Sequence, residues 1–127
     1  MIECANGAYY TGYTVNLARR FRQHLDGTAN VKYTRSNPPV RLARCWRLYD
    51  TVGTALKVES AIKRGGTAAK RRLLADPGAI EPFVATRLGQ SVTIETFDAC
   101  AVEEAARDLA PEDVKTADDP FATAPPR

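Results

Sequence analysis

The sequence has few of the residues that mark several protein classes. Among its 127 residues are one histidine, one methionine and three cysteines, and Cys4, Cys45 and Cys100 lie far apart with no CxxC pair. This spacing argues against a disulfide framework or a zinc knuckle and favours reduced thiols in the cytoplasm. No apolar run approaches the ~20 residues of a membrane helix, and the N-terminus lacks the basic and apolar regions of a secretory signal. We therefore expect a cytoplasmic protein that does not span a membrane.

The residues that are present have the composition of an ordinary globular domain, with 44% hydrophobic and 26% charged residues, which excludes disorder of the whole chain. The charge is unevenly distributed. Residues 1–75 carry fourteen basic and four acidic residues, a formal charge of +10, whereas residues 76–127 carry four basic and eleven acidic residues, a charge of −7. So much positive charge on a small body is typical of proteins that bind polyanions, usually nucleic acid. The alternative is that the arginines serve only solubility.

Turn and capping residues predict a hairpin and a helix at the start of the chain. The pair Asn6-Gly7 indicates a type I′ turn, with positive φ at both central residues, between strands over residues 2–5 and 8–13. Thr14 or Asn16 then caps a helix that runs to about residue 25, and Asp26-Gly27 ends it. The buried stripe of this helix is expected to consist of Leu17, Phe21 and Leu25.

The rest of the basic half predicts a loop, a third strand and two further helices. Residues 26–39 are polar and are expected to form the loop, and residues 40–49 form the strand. Asp50 or Thr51 caps a helix over residues 52–64, Gly65-Gly66 breaks it, and a short helix follows. The order ββαβαα predicts an α+β fold, in which a small three-stranded antiparallel or mixed sheet is flanked by helices.

The composition changes at about residue 75, which predicts three regions. Residues 1–75 are expected to form the folded domain. Residues 76–110 form an acidic extension with a weak strand signal around residues 92–96 and a weak helix signal over residues 98–109. Residues 111–127 are acidic and rich in proline, and we expect them to form a disordered tail.

Glu59 is unusually placed on the second helix. At about 100° per residue, it falls within the apolar arc of Ala55, Val58 and Ile62. An inward carboxylate is costly unless it is paired, hydrogen bonded or bound to a metal. Two interpretations stay open, namely a metal site and an ordinary i,i+4 ion pair with Lys63.

Three other side chains stand out, and two of them can converge on a common ligand such as a phosphate. Arg20 and His24 are four residues apart and project from one side of the first helix, and the planar guanidinium of an arginine suits a phosphate. Tyr10 precedes Thr11-Gly12, where the missing side chain of Gly12 opens space on the same face of the strand. His24 and Tyr10 also have ordinary interpretations, an inert surface position for the histidine and half-buried packing for the tyrosine. Arg19 and Arg22 are expected to serve general phosphate attraction.

Together these residues resemble the GIY-YIG nuclease superfamily, in particular its small stand-alone bacterial members. The matching segments, in the order of the family, are CANGAYYTGYTVNLARRFRQH, VKYTRSNPPVRL, ALKVESAIKRG and TAAKRRLL. In this resemblance Tyr10 stands in the YIG half of the motif and Arg20 matches the family arginine. Glu59 matches the helical glutamate, and His24 stands where other members carry histidine or tyrosine.

The sequence departs from the family at two places. The tyrosine of the GIY half, counted back from Tyr10, would fall before Met1. We expect that the first strand of the nuclease-like domain over residues 1–75 is clipped at the N-terminus; the alternative is that the protein lacks this tyrosine. Many nuclease members carry an asparagine after the glutamate helix, where this sequence has Lys70-Arg71-Arg72.

The resemblance implies a metal-dependent DNA endonuclease that hydrolyses phosphodiester bonds and is directed by substrate structure rather than base sequence. Glu59 would bind one Mg²⁺ or Mn²⁺, Tyr10 would deprotonate or orient the attacking water, Arg20 would bind the scissile phosphate, and His24 would assist. The residues implied in binding the nucleic-acid backbone are Lys32, Tyr33, Arg35, Lys63 and Lys70. The alternative function is that of a catalytically inactive nucleic-acid-binding or interaction module on the same fold.

Overall fold

Three short strands form an antiparallel sheet in which the first strand of the chain lies between the other two. The computed structural model describes residues 1–28 and 32–114. Within the sheet, Ile2 is opposite Tyr10 on one side and Leu42 on the other. The strands are β1 (Ile2–Cys4), β2 (Tyr9–Tyr10) and β3 (Pro39–Leu42). The predicted α+β fold with a small three-stranded sheet is confirmed, and the sheet is antiparallel.

The turn between β1 and β2 differs from the predicted type I′ turn. Gly7 has a φ of 83°, but no other residue type in the described part of the chain has a positive φ, so Asn6 does not occupy the left-handed region. The Gly7 N–H donates to the Cys4 carbonyl, and the Cys4 N–H donates to the Ala8 carbonyl. This pattern is typical of a three-residue loop that ends in a left-handed glycine. The side-chain oxygen of Asn6 accepts from the Ala8 N–H, which stabilises the alternative turn.

Helix α1 (Leu17–Asp26) begins and ends at the predicted signals. The side chain of Asn16 accepts a hydrogen bond from the Arg19 N–H, and Gly27 ends the helix in the left-handed conformation. The prediction of a loop over residues 26–39 is wrong in part, because residues Lys32–Ser36 form a short helix, α2. Four of its five residues are polar and Tyr33 alone does not form an apolar stripe, so hydrophobic periodicity does not reveal this helix.

The predicted third strand is two strands in two different sheets. Residues 39–42 belong to the first sheet, whereas β4 (Cys45–Leu48) pairs with β5 (Ile94–Phe97) in an antiparallel two-stranded sheet. Leu42 and Ala43 are both buried, so the alternation of inward and outward side chains fails at this point. The sequence of residues 40–49 alone does not show that the chain changes partner strands here.

Helix α3 (Val52–Ala75) spans both predicted helices of this region and is interrupted at Gly66, at the predicted break. Thr51 caps it, with its hydroxyl accepting from the Thr54 N–H. A 3₁₀ turn (Pro77–Ala79) and α4 (Ile80–Leu88) follow, and neither was predicted. Pro82 reads as a helix breaker in the sequence, yet it lies in the first turn of α4, where a missing N–H costs no intrahelical hydrogen bond.

Helix α5 (Ala99–Arg107) confirms the weak helix signal, with Asp98 as its cap, and β5 confirms the weak strand signal. Residues 111–113, which were expected to lie in a disordered tail, form a 3₁₀ turn. The remainder of the predicted tail, from residue 115, lies outside the described residues.

The chain divides into two compact units. The first contains residues 1–43 and the segment that begins at Asp98, and the second contains residues 44–97. In the first unit α5 packs against α1 and β3, and in the second α3 packs against α4. Among residues 1–28 and 32–114, no helix has the length and apolar character needed to cross a membrane. Fully buried residues of the two cores include Cys4, Phe21, Leu73, Ile80 and Val84.

Candidate functional site

Tyr10 is buried in the first unit beside two other predicted site residues. Its ring lies against the imidazole of His24, with ring centroids 5.4 Å apart and ring planes tilted by 56°. It also stacks on Tyr33 of α2, with 6.2 Å between ring centroids. The fold therefore brings together side chains from β2, α1 and α2 that are distant in the sequence.

Gly12 makes room for the ring of Tyr10. A Cβ atom at residue 12 would lie 3.1 Å from Cε1 of Tyr10 and 3.4 Å from its hydroxyl oxygen. The first distance is shorter than ordinary van der Waals contact between carbon atoms. The predicted space beside Tyr10 is therefore present, and the Tyr10 ring fills it. The predicted strand over residues 8–13 is too long, because β2 ends at Tyr10 and Gly12 lies outside it.

Helix α1 turns its polar residues inward. Arg20 is 7% exposed and His24 is 3% exposed, comparable with the 2% exposure of Phe21. Leu17 and Leu25, which were predicted to complete the buried stripe, are only half-buried. The predicted stripe is thus wrong at its two ends, because the elements that pack on a helix decide which face is covered.

His24 is neutral at neutral pH. Burial, and after it the positive charge of Arg20, lowers the pKa of His24 from 6.5 to about 4. The Nδ1 atom of His24 lies 2.7 Å from the hydroxyl oxygen of Thr34, a buried residue of α2. A neutral imidazole held in this way has one nitrogen that donates and one that accepts a hydrogen bond, and it adds no positive charge to the site.

Gln23 belongs to the same cluster, although the sequence analysis did not single it out. Its side chain is completely buried. The Oε1 atom accepts a hydrogen bond from Nη1 of Arg20 at 3.4 Å, and Nε2 donates to the carbonyl oxygen of Val114 at 2.7 Å. The sequence contains one indication of this contact, because Gln23 is three residues after Arg20 and therefore lies on the same side of the helix.

The residues of α2 that were predicted to bind a nucleic-acid backbone differ in their surroundings. The hydroxyl oxygen of Tyr33 accepts a hydrogen bond from Nδ2 of Asn6 at 3.0 Å. Arg35 is exposed. The side chain of Lys32 lies outside the described part of the structure. Tyr33 is therefore the residue of this group that is fixed beside Tyr10.

Glu59 lies on α3 in the second unit. Its side chain is 12% exposed, which confirms the predicted inward orientation. The Nζ atom of Lys63 lies 2.5 Å from Oε1 of Glu59, so the i,i+4 ion pair also forms. The other carboxylate oxygen, Oε2, is buried and has no hydrogen-bond partner among the described residues. Lys70, further along the same helix, is half-buried.

A carboxylate with one oxygen that lacks a hydrogen-bond partner has the chemistry of a ligand for a hard cation. Mg²⁺ is usually bound through one or two carboxylates, together with waters and substrate phosphates. In residues 1–28 and 32–114, no three side chains of His, Cys, Asp or Glu are grouped as a metal site. Glu59 as a single protein ligand, bound through Oε2, agrees with both observations.

Comparison with known proteins identifies the family. A model of the GIY-YIG catalytic domain matches residues 1–72. The chain is similar to a UPF0213 protein of Cupriavidus necator, with 44% identity over 82 residues that cover 65% of this chain and 87% of that protein. It is also similar to a UPF0213 protein of Syntrophus aciditrophicus, with 36% identity over 74 residues, covering 58% and 84% of the two chains. No solved structure matches the chain. The predicted resemblance is thereby confirmed, and this chain belongs to the GIY-YIG family.

Proposed function

We propose that this protein is a metal-dependent DNA endonuclease that hydrolyses phosphodiester bonds and recognises the structure of its substrate. Membership of the GIY-YIG catalytic family supports nuclease chemistry in general. The observation that carries the finer proposal is the buried Oε2 atom of Glu59, which has no hydrogen-bond partner among the described residues. A buried carboxylate that is only half satisfied is costly, and a bound cation removes that cost.

Glu59 would hold the divalent ion, which supplies Lewis-acid stabilisation of the negative charge on the departing oxygen. Arg20 binds the scissile phosphate in this proposal. Its guanidinium is always charged and offers two parallel N–H donors. Because Arg20 is 7% exposed, its charge is screened less by water than that of a surface arginine. The guanidinium therefore favours the transition state, in which negative charge increases on the phosphate oxygens.

Tyr10 orients the attacking water, and His24 orients Tyr10. The imidazole and the phenol ring are in contact, with their centroids 5.4 Å apart. A pKa of about 4 makes His24 a weak base at neutral pH, so an orienting role suits it better than proton abstraction. Contacts from Tyr33, Arg35 and Lys70 to the phosphate backbone would position the DNA without reading its bases.

A second candidate function, that of a nucleic-acid-binding module without catalysis, is favoured by one observation. Lys63 already neutralises Glu59, with 2.5 Å between Nζ and Oε1. If this ion pair stays closed, the carboxylate serves the stability of α3 and does not bind a cation. The same pair removes Lys63 from the residues available to hold a phosphate.

The test is cleavage of flapped, branched and single-stranded DNA by the full chain with and without Mg²⁺. We expect Glu59→Gln, which keeps the size of the side chain but removes its charge, to reduce kcat at least 100-fold, on the order of 3 kcal/mol in the barrier. Glu104→Gln, which changes an exposed glutamate of α5, is the matched control and should cleave as the unchanged chain does. DNA binding without cleavage, or equal cleavage by the Glu59→Gln variant, would favour the second candidate.

A further inference from the structure

The segment over residues 98–114 lies beyond the family match, which ends at residue 72. It nevertheless belongs to the first unit, where α5 packs against α1, the helix that carries Arg20 and His24. A segment outside the family domain therefore packs on a helix inside that domain.

Arg22 anchors this segment to the outer side of α1. Its Nε donates to both carboxylate oxygens of Asp26, at 3.1 and 3.0 Å. Its Nη1 lies within 3.3 Å of three carbonyl oxygens at the C-terminal end of α5 and just beyond it. These carbonyl groups belong to Ala106, Arg107 and Leu109. The anchor places the following residues, up to Val114, alongside α1.

Gln23 connects the end of this segment to Arg20. A carbonyl group only accepts hydrogen bonds and a guanidinium only donates them. The amide of Gln23 must therefore turn Nε2 towards Val114 and Oε1 towards Arg20, which is the arrangement observed. Since Gln23 is completely buried, water does not replace either partner.

We propose that the segment ending at Val114 positions Arg20 through Gln23. An arginine side chain has many rotamers, and holding it in one of them before the substrate binds removes part of the entropic cost of phosphate binding. In this proposal Gln23 is a positioning residue, and the Val114 carbonyl is the group that orients it. The proposal rests on the function proposed above, in which Arg20 binds the scissile phosphate.

The experiment follows the Nε–Hε signal of Arg20 in the ¹⁵N-labelled full chain, identified by its loss in Arg20→Lys. Gln23→Met removes both hydrogen bonds and should lower the heteronuclear NOE of this signal. Gln23→Glu still accepts from Arg20 but cannot donate to the Val114 carbonyl, so it should lower the NOE less than Gln23→Met does. Val114→Asp displaces the buried Val114 and keeps the proposal testable if Gln23→Met does not fold. Glu112→Gln, an exposed change in the same segment, is the control.

Cleavage of flapped DNA with Mg²⁺ gives a second readout. We expect kcat/KM for Gln23→Met to fall about tenfold, as for the loss of one hydrogen bond to a charged group. An Arg20 signal that stays ordered in folded Gln23→Met or Val114→Asp overturns the proposal. If the unchanged chain does not cleave DNA, the proposed function fails, but the NMR measurement still decides whether Gln23 positions Arg20.

Discussion

At the scale of single residues, His24 links the site to the stability of the fold. The folded protein keeps its imidazole neutral down to about pH 4, whereas an unfolded chain binds a proton near pH 6.5. The unfolded state therefore binds more protons within this window, and the free energy of unfolding falls as the pH falls. Lowering the pH from above 6.5 to below about 4 reduces the free energy of unfolding by about 3 kcal/mol through His24, at roughly 1.4 kcal/mol per pKa unit.

We predict that His24→Gln removes this part of the pH dependence. Urea denaturation at several pH values between 7 and 4 should show that the free energy of unfolding declines less steeply in the variant. Because His24 is the only histidine, carboxylates account for the decline that both proteins share. Identical pH profiles for the two proteins would show that His24 is protonated in the folded state as readily as in the unfolded state.

At the scale of elements, the adjacent glycines Gly65 and Gly66 set the shape of α3, the helix that carries Glu59. A Cβ atom on Gly65 would lie 2.4 Å from Cβ of Ala69, a distance that side chains do not tolerate. Gly66 has a φ of 65° and a ψ of −156°, in a region that is almost exclusive to glycine. The interruption is therefore built into the sequence, and the part of α3 that follows leaves the helix axis at this point.

We predict that Gly66→Ala lowers the free energy of unfolding of the second unit by about 1–3 kcal/mol, the cost of such a strained conformation. Gly53→Ala in the first turn of α3 is the matched control, since nothing closer than 3.7 Å meets its added methyl group. It should be neutral or stabilising by up to about 1 kcal/mol. Fluorescence of Trp46, the only tryptophan, follows unfolding of this unit. Equal stability of the two variants would contradict the prediction.

At the scale of the whole molecule, the division of charge bears on the proposed binding of nucleic acid. Residues 1–75 carry a formal charge of +10 and residues 76–127 a charge of −7. Each phosphate that a basic residue neutralises releases condensed counterions, so binding to duplex DNA weakens as salt increases. The basic half is thus expected to bind DNA mainly through the backbone, without preference for a base sequence.

We predict that Arg35→Gln makes the slope of log K against log salt concentration for duplex DNA less negative by about one unit, because one phosphate contact is lost. Arg107→Gln, an exposed change in the acidic half, is the matched control and should keep the slope of the unchanged chain. Fluorescence anisotropy at several salt concentrations measures both. An unchanged slope in Arg35→Gln would show that this arginine makes no phosphate contact.

Local signals predicted much of the fold. Asn16 and Gly27 bound α1, Thr51 begins α3 and Gly66 interrupts it, as their chemistry requires. The family motifs, read by spacing, also indicated the family correctly. Helix α4 was missed because a proline lies in its first turn. The short helix α2 was missed because its mostly polar composition gives no hydrophobic periodicity.

Side-chain chemistry and helical spacing therefore determined the inward position of Glu59 and the common side of Arg20 and His24, because both depend on neighbours within one helix. Tertiary structure alone decided that residues 40–49 contribute strands to two different sheets and that Gln23 donates to the Val114 carbonyl. These features depend on contacts between segments far apart in the chain. A local sequence pattern does not show such contacts, because a segment with a given strand or helix preference can pack against more than one other segment.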